Sequence, residues 1–126
     1  MTHDITLLPE KHICIITFHE GWHTAEGVER RATDIKHVLQ EAQSPVFFIM
    51  NLSEVKMTVE GVVRSANRFA RGPDALFHHP MCRGVALVTT ERIAQMVARG
   101  LQTETFGGLR VQVCASVREA IDKSGQ

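Results

Sequence analysis

The residues from His19 to His23 spell His-Glu-x-x-His, a string whose residue types and spacing can bind zinc. On a helix, this spacing places two imidazoles one turn apart on the metal and a glutamate beside the bound water. Here the string follows an apolar run typical of a β-strand, and Gly21 favours a bend. We therefore expect a polar turn with Trp22 folded over the edge of the core, and a catalytic zinc site is the alternative.

A second set of candidate ligands lies between His78 and Cys82. Adjacent histidines point in different directions, and methionine and cysteine in loops are usually packing groups, so the segment has no metal-ligand spacing. Together with Arg83, His78 and His79 have the chemistry to recognise a phosphate or an acidic partner at a sheet edge. A solvated, partly packed loop is the alternative interpretation.

Three arginines share one face of a predicted helix. Arg64, Arg68 and Arg71 are four and three residues apart, which is helical spacing. This basic ridge favours the docking of a partner. An ordinary solvated helix face is the alternative, because charged helix surfaces are common.

Motifs for covalent catalysis and nucleotide binding do not occur in the sequence. The glycine pairs fit neither G-x-G-x-x-G nor the phosphate-binding P-loop, and no serine lies in a G-x-S-x-G elbow. Cys14, Cys82 and Cys114 are odd in number, widely spaced and set in apolar segments, which indicates free, buried thiols in a reducing compartment. We therefore expect no catalytic residue, no metal and no cofactor, and hence a protein that is not an enzyme.

Length and composition limit the class of protein. With 126 residues, 44% of them hydrophobic and 22% charged, the chain can form one domain with a sizeable core. Fourteen basic residues offset fourteen acidic ones, so no overall field attracts nucleic acid or anionic lipid. The apolar runs are far shorter than the roughly 20 residues of a membrane span, and no secretory signal begins the chain. These features predict a cytoplasmic protein with no nucleic-acid partner and no membrane span.

The spacing of apolar residues predicts alternating strands and helices. Two β-rich runs at 5–8 and 12–18 indicate a hairpin, and an apolar stripe over 24–43 indicates a helix that Thr24 caps. Further strands are predicted at 46–52, 85–88 and 109–113, and further helices after Thr58, Thr89-Thr90-Glu91 and Ser116, the last with a capping box completed by Glu119. The order ββαβαβαβα predicts an α/β fold with a mixed, mostly parallel five-stranded sheet.

Two short strings resemble the motifs of a known family. Asn51-Leu52-Ser53 ends the third predicted strand, and Thr58-Val59-Glu60-Gly61 begins the second predicted helix. In STAS domains, which occur in sulfate transporters and anti-sigma-factor antagonists, Asp-Leu-Ser ends a buried strand and Asp-Ser-Ser-Gly begins a helix. The order of elements over residues 5–122 is similar as well. The resemblance implies a single STAS-like domain over residues 1–126.

The resemblance further implies a regulatory module that binds a protein partner through the start of the second helix and is switched there by serine phosphorylation. This sequence departs from the family pattern, because Asn51 and Thr58 replace two aspartates and Glu60 replaces the phosphorylated serine. A displaced phosphorylation site at Thr58, a fixed negative charge at Glu60 and plain helix capping by both residues are the alternatives. The candidate partner-binding or switch residues are Ser53, Thr58, Glu60, Arg64 and Arg68.

The same fold is similar to that of lipid-transfer α/β domains, which implies a second function. A small-molecule or lipid carrier needs a pocket, and the irregular segment at 72–84 contains apolar side chains that can cover one, namely Leu76, Phe77 and Met81. Alternatively, these side chains cover a sheet edge. The candidate ligand loop comprises Leu76, Phe77, His78, His79 and Arg83.

The sequence as a whole predicts a non-enzymatic, cytoplasmic regulatory or protein-interaction module without the usual serine switch. A carrier or sensor of a small molecule, with residues 72–84 as its lid, is the second prediction. The first function requires a protein partner and the second a small-molecule ligand. The sequence is also compatible with a homodimer.

Overall fold

Five strands and four α-helices make up the computed structural model, which describes residues 2–125. The strands are β1 (His3–Leu8), β2 (Ile13–Phe18), β3 (Val46–Asn51), β4 (Cys82–Val88) and β5 (Val111–Cys114). The helices are α1 (Ala25–Glu41), α2 (Val59–Phe69), α3 (Ile93–Leu101) and α4 (Val117–Ser124). Short 3₁₀ helices occupy Pro9–Lys11, Leu76–His78 and Glu104–Phe106. The predicted α/β class and the order ββαβαβαβα are confirmed.

The sheet follows the order of the chain. Its strands lie in the order β1-β2-β3-β4-β5, with β1 antiparallel to β2 and each later pair parallel. Because each crossover leads to the next strand in the same direction, right-handed connections place α1, α2 and α3 on one face. Val28, Phe69 and Ala98 of these helices accordingly share a core with Phe48 of β3. We call this side of the sheet the three-helix face.

Helix α4 covers the opposite face of the sheet. Ala120 packs with Ile49 in a second, smaller core, and the helix contacts β3, β4 and β5. It begins with a capping box, as predicted, because Ser116 Oγ accepts a hydrogen bond from the Glu119 N–H at 3.1 Å. The Glu119 carboxylate accepts from the Ala115 N–H at 2.9 Å, one residue before the N–H that the usual box uses.

The predicted starts of α1 and α2 are confirmed. Thr24 Oγ1 accepts a hydrogen bond from the N–H of Gly27, and Thr58 Oγ1 accepts one from the N–H of Gly61, each at 3.0 Å. Both contacts satisfy a backbone N–H that has no partner within the helix. Helix α1 ends four residues before Pro45, within the predicted range.

Helix α3 begins after Thr89-Thr90-Glu91, as predicted, whereas β4 differs from its predicted bounds. Thr89 Oγ1 accepts from the Glu91 N–H at 3.1 Å, but this turn precedes the helix, whose own first residues have no side-chain cap. The Glu91 carboxylate instead accepts from the Met57 N–H at 2.8 Å, which ties the turn to the segment before α2. Strand β4 begins earlier than predicted because pairing with β3 extends it through Gly84, which lies opposite Phe47.

The turn after β2 determines where α2 begins. Residues 19–22 form a turn, as predicted, and Trp22 is 4% exposed with its ring centroid 5.4 Å from that of Phe18. Gly61 lies against this turn, since a Cβ at Gly61 would come within 2.6 Å of Trp22 Cη2 and of His23 Cβ. The lack of a side chain at Gly61 therefore allows α2 to approach the turn closely.

Gly61→Ala is expected to destabilise the protein by about 1–3 kcal/mol, because the new methyl group overlaps the Trp22 ring and the backbone must shift. Gly100→Ala in α3 is the matched control. A Cβ at Gly100 meets no atom within 4 Å, so the better helix propensity of alanine should stabilise the protein by about 0.5–1 kcal/mol. Urea unfolding followed by circular dichroism measures both, and equal effects of the two changes would contradict the close approach.

Candidate functional site

An apolar cavity of about 70 Å³ lies between α2, α3 and the sheet on the three-helix face. Val62 and Ala66 of α2 form one wall, and Val97 and Leu101 of α3 form the other. Strands β3 and β4 supply the floor, and Phe77 of the 72–84 segment also lines the space. The cavity thus lies where three different parts of the chain meet above the middle of the sheet.

The cavity exists because α2 and α3 pack on different neighbours. Helix α2 contacts α1, whereas α3 contacts β5, so side chains alone fill the space above β3 and β4. A volume of about 70 Å³ exceeds the roughly 10–15 Å³ that one water molecule requires, but it is well below the roughly 300 Å³ of a typical ligand pocket. A ligand larger than a few heavy atoms therefore enters only if α2 and α3 move apart.

Arg31 of α1 is fully buried beside this cavity. Its guanidinium carbon lies 4.5 Å from the ring centroid of Phe18, 5.7 Å from that of Trp22 and 5.8 Å from that of Phe69, so the cation contacts three aromatic rings. Nη1 donates a hydrogen bond to the carbonyl oxygen of Trp22 at 2.6 Å, and Nη2 donates one to Ser65 Oγ at 3.0 Å. These contacts hold the guanidinium in one orientation at the edge of the cavity.

The charge of Arg31 has no carboxylate partner among the described residues. The ion pairs that these residues form do not include it, and its Nε–H has no hydrogen-bond acceptor among them. Burial lowers the pKa of Arg31 to about 10, which leaves the side chain protonated at neutral pH. Because buried charges in proteins are usually paired, an unpaired buried guanidinium next to a cavity is the unusual feature of this fold.

Arg31 belongs to none of the motifs named from the sequence, although the helical spacing of α1 indicates that its position is unusual. Arg31 follows Val28 by three residues and precedes Ile35 by four, so it falls on the apolar stripe of α1. A charged residue in the middle of a buried stripe predicts either a buried charge or a side chain that extends to the surface. The structure shows the first.

The candidate ligand loop partly surrounds the cavity. Leu76 is buried, and the Phe77 ring, which lines the cavity, stacks on Phe69 with 5.2 Å between centroids. His78 Nε2 lies 3.0 Å from the carbonyl oxygen of Ala70 and 2.9 Å from that of Phe106, so its ring ties the loop to the end of α2. His79 lies farther along the loop, where its Nδ1 accepts a hydrogen bond from the backbone.

Arg83 is directed away from these residues. Its Nη1 donates to the carbonyl oxygen of Ser124 at 2.7 Å, and its Nη2 donates to that of Lys11 at 3.1 Å. Its guanidinium carbon lies 5.3 Å from the centroid of Phe47, which belongs to the core beneath α4. The structure therefore places Phe77 at the cavity, places Leu76, His78 and His79 along a surface cleft, and places the charge of Arg83 by the opposite face.

At the start of α2, the predicted switch residues make local contacts. Thr58 caps the helix, Glu60 Oε1 lies 3.3 Å from Arg64 Nη2, and Arg64 Nη1 donates to the His23 carbonyl oxygen at 3.1 Å. Ser53 is exposed, with its backbone N–H donating to the side chain of Asn51. These contacts are the ones that plain helix capping and ion pairing produce.

The basic ridge is divided in the structure. Arg68 and Arg71 line an open surface cleft of about 770 Å³ next to α1 and the candidate ligand loop, and Arg68 also pairs with Glu29 at 3.0 Å. Lys36 of α1 lines the same cleft, and Asp74 is the acidic residue that lines it. Arg64 belongs to the turn described above and not to this cleft. We call the space bordered by Lys36, Arg68 and Arg71 the basic cleft.

The His-Glu-x-x-His string lacks the helical geometry that its zinc chemistry requires. Its first four residues form a turn, and α1 begins only at Ala25. His19 Nε2 instead lies 2.6 Å from Asp4 Oδ2. Within residues 2–125, no three His, Cys, Asp or Glu side chains are close enough together to hold a metal ion. Nor is any helix in this range long and apolar enough to cross a membrane.

The three cysteines are free, and burial suppresses their ionisation. Desolvation, with a smaller contribution from the charge of Asp34, raises the pKa of the Cys14 thiol to about 12. Desolvation also raises the pKa of Cys82 to about 11, although a hydrogen bond with the backbone of Gly84 partly opposes it. The thiolate is the nucleophilic form of cysteine, so neither residue is activated for covalent chemistry.

We expect native protein at about pH 8 to react with iodoacetamide at Cys14 about a thousandfold more slowly than urea-unfolded protein, because raising the pKa from 9.0 to about 12 lowers the thiolate population by that factor. Cys82, with a pKa of about 11, should be slowed about a hundredfold by the same effect. Peptide mass spectrometry measures each site separately. Equal rates in the native and unfolded protein would show that the thiols are not suppressed.

The resemblance to STAS domains rests on two short strings and on the order of elements. Comparison with protein-family models, curated proteins and solved structures found no match to this chain. The resemblance therefore stays a prediction. The features that bear on function are the cavity, the unpaired Arg31 and the basic cleft.

Proposed function

We propose that the chain is a non-enzymatic binding protein for a small, largely apolar molecule, which occupies the space between α2 and α3. The observation that supports this function is the apolar cavity above the middle of the sheet, with Phe77 of the 72–84 segment at its edge. Apolar cavities in proteins stay dry and bind apolar molecules, because filling them restores dispersion contacts that their walls lack.

The packing of α2 supports the opening that such a ligand requires. Irregular segments precede and follow the helix, and Gly72 in the second of them has a φ of +86° with open space around it. Val59 and Val63 on the outer side of α2 are already exposed, so moving this helix outward uncovers mainly the cavity wall. The apolar surface that opening exposes, at roughly 25 cal/mol per Å², is covered again by the ligand.

A carrier and a sensor share this binding step, and they differ in what the bound state does. Phe77 of the 72–84 segment lies in a part of the wall that is neither strand nor α-helix, and its ring contacts Phe69 of α2. Displacement of α2 therefore moves the loop as well. A carrier uses this movement to admit and release the ligand, whereas a sensor presents the altered α2 surface to a partner.

Octanol is expected to bind the wild-type protein and to raise its melting temperature, and Ala66→Leu should weaken that binding at least about tenfold because the larger side chain fills the cavity. Filling a cavity also tends to stabilise the free protein, so Ala66→Leu separates lost binding from lost folding. Ala25→Leu, at an exposed position at the start of α1, is the matched control. Titration calorimetry gives the affinity, and equal octanol affinity in all three proteins would refute the proposal.

The second candidate function is the docking of an acidic segment of a protein partner. It is supported by the basic cleft, where Lys36, Arg68 and Arg71 outnumber the one carboxylate, Asp74. Charge complementarity in such a cleft favours acidic chains and raises their rate of association. Because Arg68 already pairs with Glu29, Lys36 and Arg71 are the side chains most available to a partner.

A fluorescent oligoglutamate peptide tests this second function. Wild-type protein should bind it with an affinity that falls as salt is added, and the double change Lys36→Glu with Arg71→Glu should abolish binding. The double change Arg110→Glu with Arg118→Glu, at two exposed positions outside the cleft, is the control that matches the change in net charge. Fluorescence anisotropy measures the affinity. Equal weakening by the cleft variant and by this control would assign the binding to overall charge and would overturn the cleft as the site.

A further inference from the structure

The unpaired charge of Arg31 limits the chemistry of the bound molecule. The carboxylates nearest in sequence have other partners: Glu29 pairs with Arg68 at 3.0 Å, and Asp34 Oδ2 lies 2.6 Å from His3 Nε2. The contacts that the guanidinium does make, with three aromatic rings, two carbonyl oxygens and a hydroxyl, are with neutral groups. A full positive charge therefore lies in an apolar region with dipoles around it but no anion.

Two hydrogen-bond donors on residues that line the cavity have no acceptor among the described residues. The Nε–H of Arg31 is unpartnered, and it lies on the guanidinium edge that it shares with Nη2, the edge at which carboxylates bind side-on. Ser65 Oγ accepts from Nη2 at 3.0 Å, which leaves the hydroxyl proton free to donate. Arg31 and Ser65 both line the cavity.

We infer that the ligand of this cavity is a small amphiphile whose carboxylate binds Arg31 and Ser65 while its apolar part lies between α2 and α3. The inference rests on the proposed binding function and specifies the ligand of that site. A single negative charge fits because one buried cation is to be neutralised. A phosphate monoester carries up to two charges at neutral pH and would leave an unbalanced charge in the same apolar region.

The orientation of the guanidinium is fixed in the free protein. Phe18 and Phe69 contact it, and the bonds to Trp22 and Ser65 prevent its rotation. Phe18 and Trp22 do not belong to α2, so they keep the guanidinium oriented when that helix moves outward. A carboxylate that reaches the Nε edge therefore meets a receptor group that is already oriented, which strengthens binding. A hydroxyl in place of the carboxylate can accept the same hydrogen bonds but leaves the charge uncompensated.

The test compares octanoate with octanol, which have the same chain length and differ in the polar end. At pH 7, titration calorimetry on the wild-type protein should give octanoate an affinity at least about tenfold higher than that of octanol. Arg31→Met should reduce this preference to about one, and Arg31→Lys, which keeps the charge but loses the side-on edge, should give an intermediate value. Arg30→Met, on the exposed side of α1, should keep the full preference.

The outcomes separate this inference from the proposed function. If neither octanoate nor octanol binds, the binding function itself is wrong. If both bind wild-type protein equally, the binding function holds and the role of Arg31 as a carboxylate receptor is overturned. If octyl phosphate binds more tightly than octanoate, the assignment of a carboxylate is wrong. Should Arg31→Met fail to fold, Ser65→Ala provides the test, because it should weaken octanoate binding severalfold more than octanol binding.

Discussion

The guanidinium of Arg31 joins three parts of the three-helix face that are distant in sequence. It extends from α1 and donates hydrogen bonds to the carbonyl oxygen of Trp22, in the turn before that helix, and to Ser65 on α2. In an apolar region, a cation interacts strongly with such dipoles, and leaving either of them without a partner is unfavourable. The close approach of Gly61 to the same turn adds a steric constraint. The position of α2, and with it the cavity beneath that helix, therefore depends on this one buried charge.

The order of the strands confines this dependence to one face of the sheet. Because consecutive strands are neighbours, three helices lie side by side above the sheet, whereas α4 packs below it on a core of its own. Helix α2 packs on α1 and α3 packs on β5, so the space between α2 and α3 is the weak contact of the upper layer. A ligand that separates these two helices leaves the core beneath α4 unchanged. Binding and overall stability can therefore be supplied by different faces of the same sheet.

The features that the sequence predicted correctly are those that depend on neighbouring residues. Hydrophobic periodicity located the strands and helices, and the caps at Thr24, Thr58 and Ser116 have the predicted contacts because capping involves residues three positions apart. Helix α3 begins after Thr89-Thr90-Glu91, as predicted, but the bond from Glu91 to a backbone N–H 34 residues away has no local signal. The cavity arises from packing between distant elements, so local spacing cannot reveal it. The position of Arg31 on the apolar stripe of α1 is compatible with either a buried charge or a side chain that extends to the surface, and only packing decides between them. Of the candidate ligand loop, the apolar Phe77 lies at the cavity, whereas Arg83 is held by backbone carbonyls beneath α4.

The hydrogen bonds of Arg31 do not by themselves account for a charged residue at this position. A neutral amide side chain also donates two hydrogen bonds, and it does not require a full charge to be removed from water. The contacts with Phe18 and Phe69 offset part of that desolvation, since cation–π contacts contribute up to about 2 kcal/mol when buried. What remains is a positive charge and one unpartnered N–H at the edge of an apolar cavity. An anionic group entering that cavity with its hydrocarbon part would compensate both at once, and this joint requirement links the structure of the three-helix face to the chemistry of its ligand.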